Sequence, residues 1–158
     1  MKEKEIHKIC WKYNIRNYTI NPDGSIDVDG DVLLSHKDLT KLPLTFNKVK
    51  YLFDCSSNHL TTLEGAPKEV GRSFDCSFNY LTSLKYVPTL IGDELNCSFN
   101  NIKTFEYIPE YLYSLCCEGN DIYDIWKQYK WETDANYYLQ LLSKQDKRSK
   151  NIEKILTD

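Results

Sequence analysis

An eleven-residue phrase recurs along this chain at a nearly constant interval, and that recurrence limits the fold to a stack of like turns. Phe53-Asp-Cys-Ser-Ser-Asn-His-Leu-Thr-Thr-Leu63 returns as Phe74-Asp-Cys-Ser-Phe-Asn-Tyr-Leu-Thr-Ser-Leu84 and as Leu95-Asn-Cys-Ser-Phe-Asn-Asn-Ile-Lys-Thr-Phe105. Looser copies open at Val32 and Leu115. The starts at 32, 53, 74, 95 and 115 are thus spaced by 21, 21, 21 and 20 residues. A unit this short cannot enclose its own apolar side chains, so successive units must lie on one another and share one core.

Each phase of the repeat has a physical role. Phe53, Phe74, Leu95 and Leu115 stand two residues before Cys55, Cys76, Cys97 and Cys117, the alternation of a short strand with one face inward. Leu60, Leu81, Ile102 and Ile122 form another inward column, followed by Leu63, Leu84, Phe105 and Ile125. Val49, Val70, Ile91 and Leu112 fill the return side. Asn58, Asn79, Asn100 and Asn120 put a polar side chain inside this stack, where it can bond backbone groups of neighbouring coils. The first copy has Lys37 at that phase. Pro67, Pro88 and Pro109 predict an extended return path without helices.

The spacing L-x-C-S-x-N-x-L-x-x-L resembles the leucine-rich-repeat consensus with Cys in one Leu slot, and the short period resembles the bacterial repeat classes. Leu63-Glu-Gly-Ala-Pro-Lys-Glu-Val-Gly71 and Ile26-Asp-Val-Asp-Gly-Asp-Val32 are similar to repeat proteins common in phages and prophages. The resemblance covers about residues 25–125. It implies an α/β-type repeat solenoid with about five short parallel strands, and a small cytoplasmic factor that holds a host protein.

Three segments are expected: end piece 1–31, repeats 32–125 and end piece 126–158. Ile6, Ile9, Cys10 and Tyr13 follow helical spacing over about residues 2–14. Tyr18–Ile20 and Ser25–Val28 flank the turn signal Asn21-Pro-Asp-Gly24, which predicts a hairpin. Helix and hairpin together should cover the first rung. Beyond Ile125, aromatics crowd at Tyr123, Trp126, Tyr129 and Trp131. Ala135, Tyr138, Leu141 and Leu142, with Asp134 as N-cap, then read as a closing helix, and Ile152, Ile155 and Leu156 as another.

On the strands, the residues between the inward pairs face outward along the concave surface. They form the triads Asp31/Leu33/Ser35, Leu52/Asp54/Ser56, Ser73/Asp75/Ser77, Glu94/Asn96/Ser98 and Ser114/Cys116/Glu118. These hold five carboxylates and no Lys or Arg. The expected contact residues are Asp31, Leu33, Leu52, Asp54, Asp75, Tyr80, Glu94, Asn96 and Glu118, facing a host protein with a basic surface. Residues 18–125 carry a net charge of −8 within a total of −3, an unsuitable balance for direct nucleic-acid binding. Phe78 and Phe99 are expected to fold inward as a spine between turns, leaving Tyr80 and His59 along the rim.

Chemistry is expected to be absent. Asp23, Asp27, Asp29 and Asp31 with Gly24 and Gly30 look like a calcium loop, but His36 falls where an EF-hand needs Glu. Cys55, Cys76 and Cys97 stack without a His in phase, so a zinc site is not expected. Cys116 should point outward as a potential reactive thiol, but no motif supplies a base to a nucleophile. The expectation is therefore a non-enzymatic binding module without cofactor or metal, a monomer or small homo-oligomer. The alternative is a structural or virion-associated component that assembles with itself. No apolar run reaches the ~18 residues of a membrane span. The charged start Met1-Lys-Glu-Lys-Glu-Ile6 lacks the apolar stretch of a secretory signal, which predicts a cytoplasmic location.

Overall fold

A computed structural model places these columns in a parallel β-solenoid of about four turns. The structure describes residues 2–128 and 139–147. Two five-stranded sheets face each other across the core. The first, built from the repeated phrase, contains β3 (Val32–Leu33), β5 (Phe53–Asp54), β7 (Phe74–Asp75), β9 (Glu94–Asn96) and β10 (Ser114–Cys116), all parallel and in that spatial order. Register runs Leu33, Asp54, Asp75, Asn96, Cys116 across the sheet, so residues at one repeat phase are direct neighbours.

The second sheet lies on the return side, in the order β1 (Tyr18–Ile20), β2 (Ile26–Val28), β4 (Phe46–Val49), β6 (Glu69–Val70) and β8 (Leu90–Ile91). β1 and β2 make the expected antiparallel hairpin around Asn21–Gly24. β2 then pairs in parallel with β4, and Val28, Val49, Val70 and Ile91 align. The second hairpin strand is therefore also the first return segment of the solenoid, half a turn before the first repeated phrase.

The inward columns close on one core. Phe53, Phe74, Leu95, Cys55, Cys76, Cys97, Leu60, Leu81, Ile102, Leu63 and Leu84 have no exposed surface. Phe53 and Phe74 stack with centroids 5.3 Å apart, and Phe46 meets Phe53 edge-on at 5.0 Å. Each fully buried side chain of this size is worth roughly 1.5–3 kcal/mol. Helix α1 (Glu3–Lys12) buries Ile6 and Cys10 against the same core, with Ile9 and Tyr13 partly covered. Before each return segment the chain turns tightly. Ala66 N donates to Leu63 O, and Val87 N and Ile108 N repeat the bond to Leu84 O and Phe105 O. Gly65, Tyr86 and Tyr107 take the left-handed position of these turns, with φ of 93°, 71° and 69°.

The asparagine column ties the coils together. Asn79 Nδ2 donates to Cys55 O of the preceding rung and to Cys76 O and Ser77 O of its own, while its Oδ1 accepts Leu60 N from the preceding rung. Asn100 does the same with Cys76 O, Cys97 O, Ser98 O and Leu81 N. Asn58 and Asn120 extend the series at either end. Every Asn thus satisfies its own turn and the coil before it. Lys37 stands where no earlier copy of the phrase exists to be satisfied, so that position has no need of an amide.

Between coils the backbone approaches closely at Gly71 and Gly92. A Cβ on Gly71 would lie 2.0 Å from Lys50 O, and one on Gly92 would lie 2.1 Å from Gly71 O. Only glycine fits there.

At the far end the repeat geometry changes. Ile125 belongs to α2 (Tyr123–Trp126) and is 43% exposed, so it does not join the inward column expected of it. The single helical turn rotates Trp126 into the core instead, where its Nε1 donates to Leu115 O. Residues 139–147 are helical and bury Leu139 and Ser143, whereas Leu141, expected in the apolar stripe, is exposed. Asp146 accepts the Phe105 amide, and Gln140 donates to Pro109 O and Glu110 O. Tyr129, Trp131, Asp134, Ala135, Tyr138, Ile152, Ile155 and Leu156 lie outside the described residues.

Asn79→Ala orphans the buried Leu60 amide and takes one of two donors from each of Cys55 O, Cys76 O and Ser77 O, which keep Asn58, Asn100 and Ser57 N; it is expected to lower stability by about 2 kcal/mol. Lys37→Asn should change it by less than about 0.5 kcal/mol. Urea unfolding of both variants checks the asymmetry, and equal losses would contradict a ladder that acts on the preceding coil.

Burial raises the thiols of Cys55, Cys76 and Cys97 well above their usual range. Their native pKa exceeds the unfolded value, so the stability they contribute is complete below the unfolded thiol pKa of about 8.5. It is lost as pH rises above that value, by up to about 1.4 kcal/mol per pH unit for each thiol. Denaturant midpoints measured from pH 7.5 to 10.5 should therefore fall steeply above about pH 9.

Candidate interaction surface

The outward face of the β3–β10 sheet brings the acidic positions together. Strand alternation turns Asp54, Asp75 and Asn96 away from the core, and parallel register sets them side by side. Asp31 and Leu33 are exposed, while Leu52, Asp54, Asp75, Glu94, Asn96 and Glu118 are half-buried. Tyr80 is 55% exposed on the adjoining loop. All nine expected contact residues thus lie on this face or its rim.

The carboxylates are held in place by their own turns. Asp54 Oδ1 accepts both the amide and the hydroxyl of Ser56, at 2.9 and 2.6 Å, and Asp75 does the same with Ser77. Asn96 Oδ1 accepts the Ser98 amide, and Asn96 Nδ2 donates to Asp75 Oδ2 at 3.0 Å. Glu94 Oε2 accepts from Ser114 Oγ and Cys116 Sγ. Ser98 Oγ donates to Glu118 Oε2, and Asp31 Oδ1 accepts the Leu52 amide. No cation stands within ion-pair distance of Asp31, Asp54, Asp75 or Glu94 among the described residues. The opposite sheet differs: Lys48 pairs with Glu69 at 2.8 Å and Lys50 with Asp29 at 2.6 Å. Four carboxylates without an ion-paired cation among the described residues thus share one face.

A ridge of aromatic rings borders that face, and here the sequence expectation fails. Phe78 and Phe99 do not fold inward; they are 54% and 50% exposed and stack on each other at 4.5 Å. The cause is backbone conformation. His36, Ser57, Phe78, Phe99 and Gly119 share one phase, and all have φ between 51° and 71°. A left-handed residue breaks strand alternation and throws its side chain outward. The signal was Gly119, the residue type best suited to that conformation, occupying the Phe phase. Gly119 also gives the Phe99 ring its place, because a Cβ there would lie 2.7 Å from the ring. Beside this pair, His59 and Tyr80 stack at 5.7 Å, and His59 Nε2 lies 3.7 Å from Asp38 Oδ1.

Cys55, Cys76, Cys97 and Cys117 are buried in the core, and all six cysteines are thiols. Among the described residues, no three His, Cys, Asp or Glu side chains converge as metal ligands. Asp23 Oδ1 accepts the amide and hydroxyl of Ser25, so it caps its hairpin turn in the way Asp54 and Asp75 cap theirs. Those bonds hold its carboxyl below the usual range.

Because Asn96 accepts the Ser98 amide at the same phase without a charge, Asp54→Asn and Asp75→Asn should each alter stability by less than about 1 kcal/mol. Asp54→Ala and Asp75→Ala, which leave the serine donors without that acceptor, should cost about 1 kcal/mol more than the Asn variants. Thermal unfolding of the four variants separates the two sets. Compared with known proteins, the chain matches no family model, no curated protein and no solved structure.

Proposed function

We propose that this protein is a non-enzymatic binding module of the leucine-rich-repeat class, with α1 and the hairpin closing one end and helices closing the other. Its acidic sheet face receives a basic surface of another protein. The observation that carries this reading is the set Asp31, Asp54, Asp75 and Glu94 on one sheet face, held by internal hydrogen bonds and, among the described residues, without an ion-paired cation, beside the exposed Phe78, Phe99 and Tyr80. Fixed charges lose little freedom when a partner arrives, and aromatics at the border supply apolar area that excludes water. The partner contributes Lys and Arg, so association is fast and salt-sensitive. Similarity of the repeat wording to phage and prophage proteins supports a host-cell partner. A basic host factor that handles nucleic acid would lose its own binding surface when covered by this face, so the module acts as an inhibitor in the cytoplasm.

Capture from host lysate at about 50 mM and about 500 mM salt, with wild type and with Asp54→Asn/Asp75→Asn/Glu94→Gln, tests the proposal. A protein retained by wild type at low salt should be released at high salt and should be at least about tenfold depleted on the neutral variant. Equal retention by the neutral variant refutes the acidic face as the binding surface.

A further inference from the structure

The edge of the β3–β10 sheet at β3 presents a second recognition site with the opposite charge. Along this sheet, each rung offers carbonyls to the rung before it, one of them at the phase of Leu33. Asp54 O accepts Leu34 N at 2.7 Å, Asp75 O accepts Cys55 N at 2.8 Å, Asn96 O accepts Cys76 N at 2.8 Å, and Cys116 O accepts Cys97 N at 2.8 Å. Leu33 is aligned with these four residues, but β3 is the terminal strand and no rung precedes it. Val32 N and Leu34 N donate toward β5, so strand alternation turns the Leu33 N–H and C=O the other way.

They open on a cavity of about 470 Å³ between the β3 edge and the chain that follows α1. Lys12 and Arg16 line its far wall, and Lys37 lines the near wall beside Asp31 and Leu33. None of the three cations joins an ion pair among the described residues. Arg16 Nε is bonded to Asn14 Oδ1, and Asp31 Oδ1 is engaged by the Leu52 amide. The cavity thus joins free strand backbone to three basic side chains around one committed carboxylate.

We propose that an extended acidic segment of a partner protein adds to β3 as a further strand, its backbone pairing with Leu33 and its carboxylates meeting Lys12, Arg16 and Lys37. Strand addition supplies affinity through main-chain bonds and specificity through flanking side chains. A strand needs about 4.8 Å beyond β3, the spacing already used between rungs. A free anion could use the three cations and the Leu33 N–H but has no donor for the Leu33 C=O, which a strand supplies. Charge complementarity excludes a basic segment here, in contrast to the acidic face. The site shares Asp31 and Leu33 with the acidic face but does not rest on the function proposed above.

The test titrates the full chain with an acetylated, amidated peptide of four Val-Glu repeats, followed by backbone NMR. The amides of Gly30, Asp31 and Leu33 should shift, and exchange of the Leu33 amide should slow by about tenfold. Lys12→Glu/Arg16→Glu/Lys37→Glu changes three exposed residues and should weaken binding at least about tenfold. Leu33→Pro removes the outward N–H without removing a native bond and should weaken it about as much, with an unchanged thermal midpoint. Asp54→Asn/Asp75→Asn/Glu94→Gln should leave this binding within about twofold, which separates it from the acidic-face reading. The proposal is overturned if the peptide leaves these amides unmoved or if the charge-reversed variant binds it equally. Displacement of the peptide by inorganic phosphate at the same concentration, without protection of Leu33, also overturns it, because the cavity is then only a small-anion site. Equal binding of the Val-Lys counterpart overturns it as well.

Discussion

One side chain, repeated, makes the stacking of turns possible. A tight turn inside an apolar stack leaves backbone carbonyls and amides facing the core, where an unsatisfied group costs about 1–3 kcal/mol. The carboxamide of Asn carries two donors and an acceptor with two lone pairs on a short arm, which matches what each turn and its neighbour present. Asn79 and Asn100 each spend their donors on three carbonyls from two coils and their acceptor on an amide of the earlier coil. Asp would lack the donors and Leu would lack both. The ladder also has a direction, because each Asn completes the coil before it. The array can therefore begin without the residue, as it does at Lys37, but every later coil requires it.

Fixing the turn this way determines what faces out. The residue before each Asn is forced into the left-handed region, so its side chain leaves the core whatever its type. Phe78 and Phe99 are displayed for that reason, at a cost of about 1–3 kcal/mol in backbone strain for each non-glycine residue there. The amide ladder and the neighbouring rungs over-determine the conformation, so the strain is tolerated. The inner columns admit few residue types, whereas the outward positions vary from rung to rung without disturbing the stack. The positions free to vary are those of the acidic strand face, the aromatic ridge and the basic cavity at the β3 edge.

Much of the solenoid was legible because a period of 21 residues aligns with physical need at every phase. Cys55, Cys76 and Cys97 read correctly as small core residues, and Asn58 to Asn120 as ties between coils, because residue type and spacing agreed. The second sheet was less visible. Glu69–Val70 and Leu90–Ile91 are too short for alternation to register, so their phases signalled only an extended return path. Phe78 and Phe99 misled because apolar character argues for burial, while the backbone conformation that exposes them is carried by their neighbours. Ile125 misled because the period implied another coil where α2 begins. For the candidate surface, strand alternation located the carboxylates. That serines two residues later would hold them was also written in Asp23-Gly-Ser25, Asp54-Cys-Ser56 and Asp75-Cys-Ser77.

The repeat contains its own control for what those carboxylates are for. At the strand's outward position Asn96 accepts the Ser98 amide without charge, while the Ser98 hydroxyl turns to Glu118. Asp54 and Asp75 accept theirs with charge, as direct neighbours about 4.8 Å apart. Two like charges at that distance repel by about 1 kcal/mol even in water, and more where the strand face partly excludes it. Asn at both positions would remove that repulsion and keep the amide bond of the turn, as Asn96 does. The serine hydroxyls and the Asn96 amide answer part of the charge, and a cationic partner laid across both rungs would convert the remaining repulsion into attraction. On the opposite sheet, where Lys48 answers Glu69 in register, charges are balanced within the chain. The imbalance on the acidic face is thus a property of that face rather than of the repeat, and it supports recognition there.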